Sequence, residues 1–226
     1  MRLVWLGLIV VLAFAGAACG GGGGEKPAPA LSDADLKEMV VITSDGLPWQ
    51  LTGTSDTALS NEEAAQRNSD PQTWLKNYEE WGRTGGHSEA FAVWNGEPSG
   101  EVIDVQTNVA AYESADGAGK AFVATTGVLV SDEALQRMKD AGYSDAKIEE
   151  LNAATVGDES KAYRIAGTPP AADGQSQAYE TFIVMWRHAE AVLTATVGAK
   201  AGEAHIEDAV AVANQMDGRV EGVLGH

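Results

Sequence analysis

One stretch near the middle of the chain constrains the fold most, because apolar and polar residues alternate along it from Glu101 to Tyr112. Strict alternation predicts a β-strand with one face buried and the other face in contact with water. Antiparallel sheets accommodate such strands, whereas the strands of parallel sheets are usually buried on both faces. The buried face is predicted to carry Ile103, Val105, Thr107, Val109 and Ala111, and the wet face to carry Asp104, Gln106 and Asn108.

Other segments with strand character lie on both sides of this one. The strongest runs from Ala178 to His188 and has apolar residues on both faces, which predicts a central strand covered on both sides. In contrast, the polar segment from Gly53 to Ser60 is predicted to be a loop. The remaining predicted strands are Glu89 to Trp94, Lys147 to Ala153, Ser160 to Ala166 and Ala191 to Val197.

Helices are predicted from capping residues followed by apolar residues at helical spacing. Asp70-Pro71 places an N-cap acceptor before a proline at the first helical position, and Trp74, Tyr78 and Trp81 then form one aromatic stripe. That spacing is typical of a helix face packed on the core. The other predicted helices begin after Ser32, Ser60, Ser114 and Ser131, and a closing helix runs from Gly202 to about Val220.

These elements predict a single α+β domain over residues 32–226. Its expected architecture is an antiparallel sheet of about five or six strands with helices packed on one face. The whole chain has 226 residues and a formal net charge of −18. A binding partner with a phosphate backbone, such as a nucleic acid, is therefore not expected, because such binding needs clustered Lys and Arg.

The N-terminal segment combines Arg2, an apolar run from Leu3 to Phe14, small residues, and the only cysteine of the chain. The sequence Gly16-Ala17-Ala18-Cys19 resembles a bacterial lipoprotein signal. The resemblance implies cleavage after residue 18 and attachment of diacylglycerol to Cys19. The signal peptide is then residues 1–18, and residues 19–31 form a linker rich in Gly and Pro. The membrane, bound through the lipid on its extracytoplasmic face, is the expected partner.

Two alternatives remain open for this segment. Gly16 and Ala18 also fit an ordinary signal peptidase site, which would release a soluble protein with a free thiol. An uncleaved membrane anchor is the other alternative, although the apolar run is shorter than the roughly 20 residues that span a bilayer. Because Cys19 is the sole cysteine, neither alternative provides a disulfide.

Few residues of the sequence are candidates for a catalytic role. The sequence has no nucleophile elbow and no cysteine–histidine pair, so no catalytic residue and no cofactor are predicted. His-x-Glu triplets place His87 with Glu89, and His188 with Glu190. On a strand, residues two apart share a face, so these four residues are weak candidates for metal ligands.

Tryptophans provide the other candidates. Trp49, Trp94 and Trp186 lie outside the aromatic stripe, and they are weak candidates for contacts with a sugar or a lipid chain. For these residues, packing in the core is the alternative role.

The second half of the chain resembles cell-envelope lipoproteins of actinobacteria and the extracellular sensor domains of some mycobacterial receptor kinases. Three segments carry this resemblance: Val156-Gly157-Asp158-Glu159, Val184-Met185-Trp186-Arg187 and Met216-Asp217-Gly218-Arg219. The resemblance implies ligand sensing or envelope binding in a cleft beside the sheet, with an unknown ligand or protein partner.

Three functional hypotheses follow. The first is a lipid-anchored, non-catalytic binding or sensing domain at the cell envelope. The second is a metal-dependent hydrolase that uses the two His/Glu pairs. The third is a structural or accessory protein of an envelope complex, which a large exposed apolar patch would favour.

Overall fold

The computed structural model describes residues 31–47, 49–94, 104–170 and 177–225. The predicted signal peptide, Cys19 and most of the predicted linker lie outside these residues. No helix within the described part of the chain is long and apolar enough to cross a membrane.

Within the described residues, seven strands form one fully antiparallel sheet in the order β1-β2-β3-β7-β6-β5-β4. The predicted alternating strand becomes β3, and the predicted central strand becomes β6. The strands are β1 (Gln50–Ala58), β2 (Arg83–Trp94), β3 (Asp104–Tyr112), β4 (Ser144–Leu151), β5 (Glu159–Thr168), β6 (Tyr179–His188) and β7 (Ala191–Lys200).

The described part of the chain contains six helices, and five of them begin where capping residues predicted them. The closing helix begins at Ile206 rather than at Gly202, and His205 is its N-cap. Ser32 and Ser60 each complete a capping box, and the side chains of Asp70, Ser114 and Ser131 accept the expected N-terminal hydrogen bonds. The helices are α1 (Asp33–Val40), α2 (Asn61–Gln66), α3 (Pro71–Glu80), α4 (Ala115–Leu129), α5 (Asp132–Asp140) and α6 (Ile206–Leu224).

Helices cover both faces of the sheet, so the expectation of helices on one face is wrong. Helices α1 and α6 pack on one face, which we call the covered face, against strands β2, β3, β6 and β7. The main core lies there, and its members include Met39 of α1, Val105 of β3, Leu193 of β7 and Met216 of α6. Helices α2 to α5 lie over the opposite face, which we call the cavity face.

Strand β6 explains why two helical layers are needed. Phe182, Val184 and Trp186 belong to the core on the covered face, while Met185 packs with Phe122 of α4 on the cavity face. Neighbouring residues of a strand point to opposite faces, so a strand that is apolar on both faces requires a cover on each side. The prediction of a strand covered on both sides is therefore confirmed.

The expected strand number is too low because β1 was interpreted as a loop. Almost every side chain of β1 is exposed, and the strand lies at the edge of the sheet. Its strand conformation comes from pairing with β2, for example Thr57 with Ser88 and Ala58 with His87. An edge strand with a polar sequence gives no periodic apolar signal, so its strand character depends on the partner strand.

Candidate functional site

A cavity of about 510 Å³ lies on the cavity face of the sheet. Most of its floor comes from β3, β5, β6 and β7, and Thr54 of β1 and Ala90 of β2 also line it. Its walls come from α2 to α5 and the segments beside them. The helices on this face leave part of the floor uncovered, in contrast to α1 and α6 on the other side. The cavity is therefore the candidate binding site of the domain.

The floor of the cavity is polar but uncharged along its centre. Gln106 of β3 pairs with Thr196 of β7, and Asn108 pairs with Thr194 in the next row. All four side chains are half-buried. The wet face predicted for β3 is thus the floor of the cavity rather than a surface open to bulk solvent.

Apolar and aromatic side chains form most of the remaining lining. Helices α3, α4 and α5 provide Trp74, Tyr78, Val128, Leu129 and Met138, and the sheet provides Ile165, Ile183, Met185 and Val192. Such a lining, apolar with a few polar groups, is typical of sites for small organic ligands.

Arg83 lies at one end of the cavity and is only 6% exposed. Its Nη1 donates hydrogen bonds to the carbonyl oxygen of Leu59 at 3.3 Å and to Oδ1 of Asn61 at 2.7 Å. The guanidinium carbon lies 5.1 Å from the centre of the Tyr78 ring. Burial lowers the pKa of Arg83, yet a guanidinium stays protonated at neutral pH.

Gly86 makes room for this arginine. A Cβ atom at position 86 would lie 2.3 Å from Nη2 of Arg83 and 2.7 Å from the carbonyl oxygen of Val109. Both distances are shorter than any normal contact, so the guanidinium lies across the backbone of β2 only because residue 86 has no side chain. Gly85-Gly86 lies before the predicted strand Glu89 to Trp94, but in the structure it belongs to β2.

The cavity carries an excess of positive charge. Arg67 and Arg83 are its cationic residues, and Asp104 is the single carboxylate among the described lining residues. No ion pair of Arg67 or Arg83 occurs within the described part of the chain. In a chain of net charge −18, this local reversal of sign sets the cavity apart from the rest of the molecule.

Asp104 lies at the opposite end of the cavity. On β3 it is six residues away from Ala110, which pairs with Gly86, the glycine beside the Arg83 guanidinium. At the usual rise per residue this separation is about 20 Å. The hydroxyl of Tyr179 donates a hydrogen bond to Oδ2 of Asp104 at 3.2 Å. Burial raises the pKa of Asp104, and the hydrogen bond from Tyr179 opposes that rise.

Gly198 of β7 accommodates the Tyr179 ring. A Cβ atom at position 198 would lie 2.5 Å from the Tyr179 hydroxyl oxygen, so a larger residue would displace the ring from the floor. Asp104, Tyr179 and Gly198 together form the second polar end of the cavity.

Two buried side chains beside the Arg83 end have polar atoms without a partner. Oδ1 of Asn68 and Nε1 of Trp74 make no hydrogen bond to any described residue, although the two residues are only 7% and 1% exposed. Most buried polar atoms in proteins have a hydrogen-bond partner, so two such atoms without one beside a cavity are unusual. The aromatic stripe of α3 accordingly has two roles: it packs in the core, as predicted, and through Trp74 and Tyr78 it also lines the cavity.

Trp49 and Trp186, two of the three tryptophans proposed as ligand contacts, are not among the described residues that line the cavity. Trp186 is fully buried in the core of the covered face, and its Nε1 donates a hydrogen bond to Asp217 at 3.0 Å. Trp49 is half-buried and packs against the same core. Trp94 ends β2, at the border of the described residues.

The four candidate metal ligands lie in two separate places. His87 and Glu89 belong to β2, whereas His188 ends β6 and Glu190 lies in the turn between β6 and β7. Strands β3 and β7 lie between β2 and β6, which corresponds to about 14 Å at the usual strand spacing. One metal ion cannot contact all four residues, and no group of three or more ligating residues suited to a metal occurs among the described residues.

Each histidine of these pairs contacts an aspartate instead. Nε2 of His87 lies 2.5 Å from Oδ1 of Asp56, which also pairs with Lys37 of α1. Nδ1 of His188 lies 2.9 Å from Oδ1 of Asp217 on α6. The His188 contact connects β6 to α6, and the His87 contact connects β2 to β1, where Asp56 also reaches α1 through Lys37. Both histidines therefore take part in packing interactions.

The three segments that carry the sequence resemblance meet at one end of the sheet. Asp217 of α6 accepts hydrogen bonds from Trp186, and Asp158 accepts from Arg187 Nη1 at 3.0 Å and from the backbone N–H of Ala189 at 2.9 Å. These residues hold the β6–β7 turn against α6 and the start of β5. Met185 is the one residue of the three segments found among the described lining residues of the cavity.

The fold and the cavity together define an α+β domain with a cavity on one face of an antiparallel sheet. Two proteins of Mycobacterium tuberculosis are similar to it in structure. The extracellular domain of PknH gives a TM-score of 0.46 at 12% sequence identity, over 90% of this chain and 100% of that chain. LpqN, described as involved in cell envelope biogenesis, gives a TM-score of 0.29 at 13% identity, over 77% of this chain and 84% of that chain.

Both proteins are of the kind that the sequence resemblance indicated, namely extracellular or envelope proteins. No known protein-family model and no curated protein sequence matches the chain.

The sequence alone did not identify Arg83, Asp104 or Tyr179 as site residues. A signal was present for two of them: Asp104 belongs to the predicted wet face of β3, and Arg83 precedes the unusual pair Gly85-Gly86. Neither signal indicates that the residues lie on one cavity, because the connection between them depends on the sheet order.

Proposed function

We propose that the chain is a non-catalytic binding domain that holds a small organic ligand in the cavity, at the extracytoplasmic face of the cell membrane. The cavity carries this proposal. Its volume of about 510 Å³ lies within the range of roughly 300–1,000 Å³ that is usual for small-molecule sites. Its lining combines apolar walls with a few polar groups at defined positions.

The distribution of titratable groups supports binding rather than catalysis. General acid–base chemistry needs a titratable group within hydrogen-bond reach of the reacting atom, and usually a second group nearby. Asp104 and Arg83 lie at opposite ends of the cavity, and the described lining residues include neither a histidine nor a cysteine. The arrangement is suited to holding a ligand at its two ends.

Native mass spectrometry tests the binding proposal. The full chain is isolated from its native membrane without denaturants, and the mass of any non-covalently bound compound is measured. We expect a bound small molecule on the wild-type protein. Substitution Thr196→Phe, which fills the cavity floor, should remove that molecule.

The matched control is Thr52→Phe, because Thr52 is exposed on β1 and does not line the cavity. This variant should retain the ligand. A wild-type protein without any bound compound, or equal occupancy in the wild type and in Thr196→Phe, would contradict the proposal.

The location of the domain rests on a different observation, the lipoprotein-like signal before Cys19. Two acyl chains on one residue give stable membrane attachment, whereas one chain holds a protein only marginally. The intact mass of the membrane-purified protein should exceed that of bare residues 19–226 by a diacylglycerol group, and Cys19→Ser should lack this increment. A bare mass in the wild type would instead indicate a secreted soluble protein.

A further inference from the structure

We propose that the ligand of the cavity is an anionic amphiphile, with a carboxylate or phosphate group bound by Arg83 and an apolar body against the helical walls. This inference rests on the proposed function and adds the chemical class of the ligand. It starts from the hydrogen bonds of Arg83, which the protein satisfies only in part.

Arg83 uses a single nitrogen for its hydrogen bonds to the protein. Both bonds start from Nη1, so Nε and Nη2 donate none within the described part of the chain. These two nitrogens are also not among the fully buried polar atoms that lack a partner. Since Arg83 lines the cavity and is otherwise enclosed, its remaining donors are accessible from the cavity.

A buried arginine without a carboxylate is costly to the folded protein. Removing a charged group from water carries a large penalty, and proteins usually offset it with an ion pair. This chain has 33 Asp and Glu residues, yet none of the described ones pairs with Arg83. An anionic ligand would provide the missing partner, and the planar fork of an arginine matches carboxylate and phosphate groups.

The surroundings of Arg83 favour the same ligand class. Arg67, half-buried at the end of α2, adds a second positive charge to the lining, while the central floor residues have no charge that would repel an anion. Asp104, the one carboxylate of the lining, lies at the far end. A ligand with one anionic group is therefore held in a single orientation, with its charge at Arg83.

The body of the ligand follows from the walls. From the Arg83 end, Tyr78, Leu129 and Met185 offer apolar surface along the cavity. An alkyl or similar apolar body gains free energy by leaving water for this surface. The charge at one end and the apolar walls beyond it together specify an amphiphile rather than a fully polar anion.

The test compares three ligands with the same chain: dodecanoate, dodecyl phosphate and the neutral dodecanol, each below its micellar concentration. Dissociation constants for the full mature chain are measured by titration calorimetry. We expect at least one of the two anions to bind about tenfold to hundredfold more tightly than dodecanol, the usual effect of a charge-assisted hydrogen bond. The more tightly bound anion identifies the head group.

Variants assign the effect to Arg83. Arg83→Met should remove the preference for the anions and leave the affinity for dodecanol nearly unchanged. Arg187→Met is the matched control, because Arg187 pairs with Asp158 and does not line the cavity. The control should keep the full preference.

The comparison of the three ligands uses the wild-type protein, so it tests the proposal even if the Arg83→Met variant does not fold. Equal binding of dodecanol and both anions, or no binding of either anion, would overturn the inference. A preference that persists in a folded Arg83→Met variant would also overturn it. The proposed function is tested separately, since native mass spectrometry detects a bound compound of any class.

Discussion

The two faces of the same sheet differ in what covers them. On the covered face, β3 and β7 present Val105, Leu193 and Val197 to α1 and α6, and all three residues are fully buried. On the cavity face, the same strands present Gln106, Thr194 and Thr196, which are half-buried. The backbone is shared, so side-chain type and helix placement alone make one face a packed core and the other a cavity.

The difference shows how this fold separates stability from binding. A face filled by interdigitated apolar side chains contributes most to the free energy of folding, and it tolerates little change. A face left partly uncovered contributes less, and its residues are available for a ligand. Substitutions on the covered face should therefore change stability, and substitutions on the cavity face should change binding.

Neighbouring residues of β7 provide the largest contrast. Leu193→Ala removes a fully buried side chain from the covered face and should lower the free energy of unfolding by about 2–5 kcal/mol. Thr194→Ala, on the cavity floor, should change it by less than about 1 kcal/mol. Urea unfolding monitored by circular dichroism measures both values, and equal losses would refute the distinction between the faces.

The second-largest effect on stability is expected at the contact between β6 and α6. Asp217→Ala removes the acceptor for Trp186 Nε1 and for His188 Nδ1, and should cost about 1–3 kcal/mol. Asp217→Asn keeps an acceptor oxygen and should cost less. If the midpoint urea concentration of unfolding is the same for Asp217→Ala and the wild type, the contact does not stabilise the covered face.

A smaller effect is expected at Thr107, a fully buried polar residue on the covered face. Its hydroxyl donates a hydrogen bond to the carbonyl oxygen of Val40, at the end of α1, at 2.8 Å. Thr107→Val should cost about 1 kcal/mol, because that carbonyl loses a partner. The same change at Thr196 on the cavity floor breaks no such bond, so a larger loss at Thr196 would contradict the comparison.

The last prediction concerns pH and Asp104. Burial raises the pKa of Asp104 in the folded state above its ordinary value of 3.8, so ionisation of this group opposes folding. Below that value the folded and unfolded states both hold the proton, and the penalty is absent. It grows as the pH rises from 3.8 through the raised pKa of the folded state.

Asp104→Asn removes the ionisation and keeps an acceptor for the Tyr179 hydroxyl. The variant should therefore be more stable than the wild type at pH 7, with a smaller difference at pH 3. Thermal unfolding over this pH range measures the difference. A difference that does not change with pH would show that Asp104 ionises without penalty in the cavity.

Much of the architecture followed from the sequence, because local signals have local causes. The N-caps at Ser32, Ser60 and Asp70 were predicted from hydrogen bonds that span only three residues. The alternation along β3 and the two apolar faces of β6 also reflect which side chains avoid water. These features identified an antiparallel α+β domain and the wet face that became the cavity floor.

The placement of the helices was not determined by such signals. The sequence indicates that a face must be covered, but not which helix covers it, since a helix stripe can pack on any apolar surface of suitable shape. The expectation of helices on one face was wrong for this reason. Strand β1 was missed because its conformation depends on β2 rather than on its own residues.

The sequence by itself determined six of the seven described strands, five of the six described helix starts, the acidity of the chain and the lipoprotein-like signal at Cys19. Only the tertiary structure decided that Arg83 and Asp104 lie at the two ends of one cavity, and that Trp186, His87 and His188 belong to packing interactions. The physical reason is distance along the chain. Strand order and helix placement bring together residues that are far apart in sequence. The periodic spacing of apolar residues reflects only neighbouring positions, so it gives no information about those contacts.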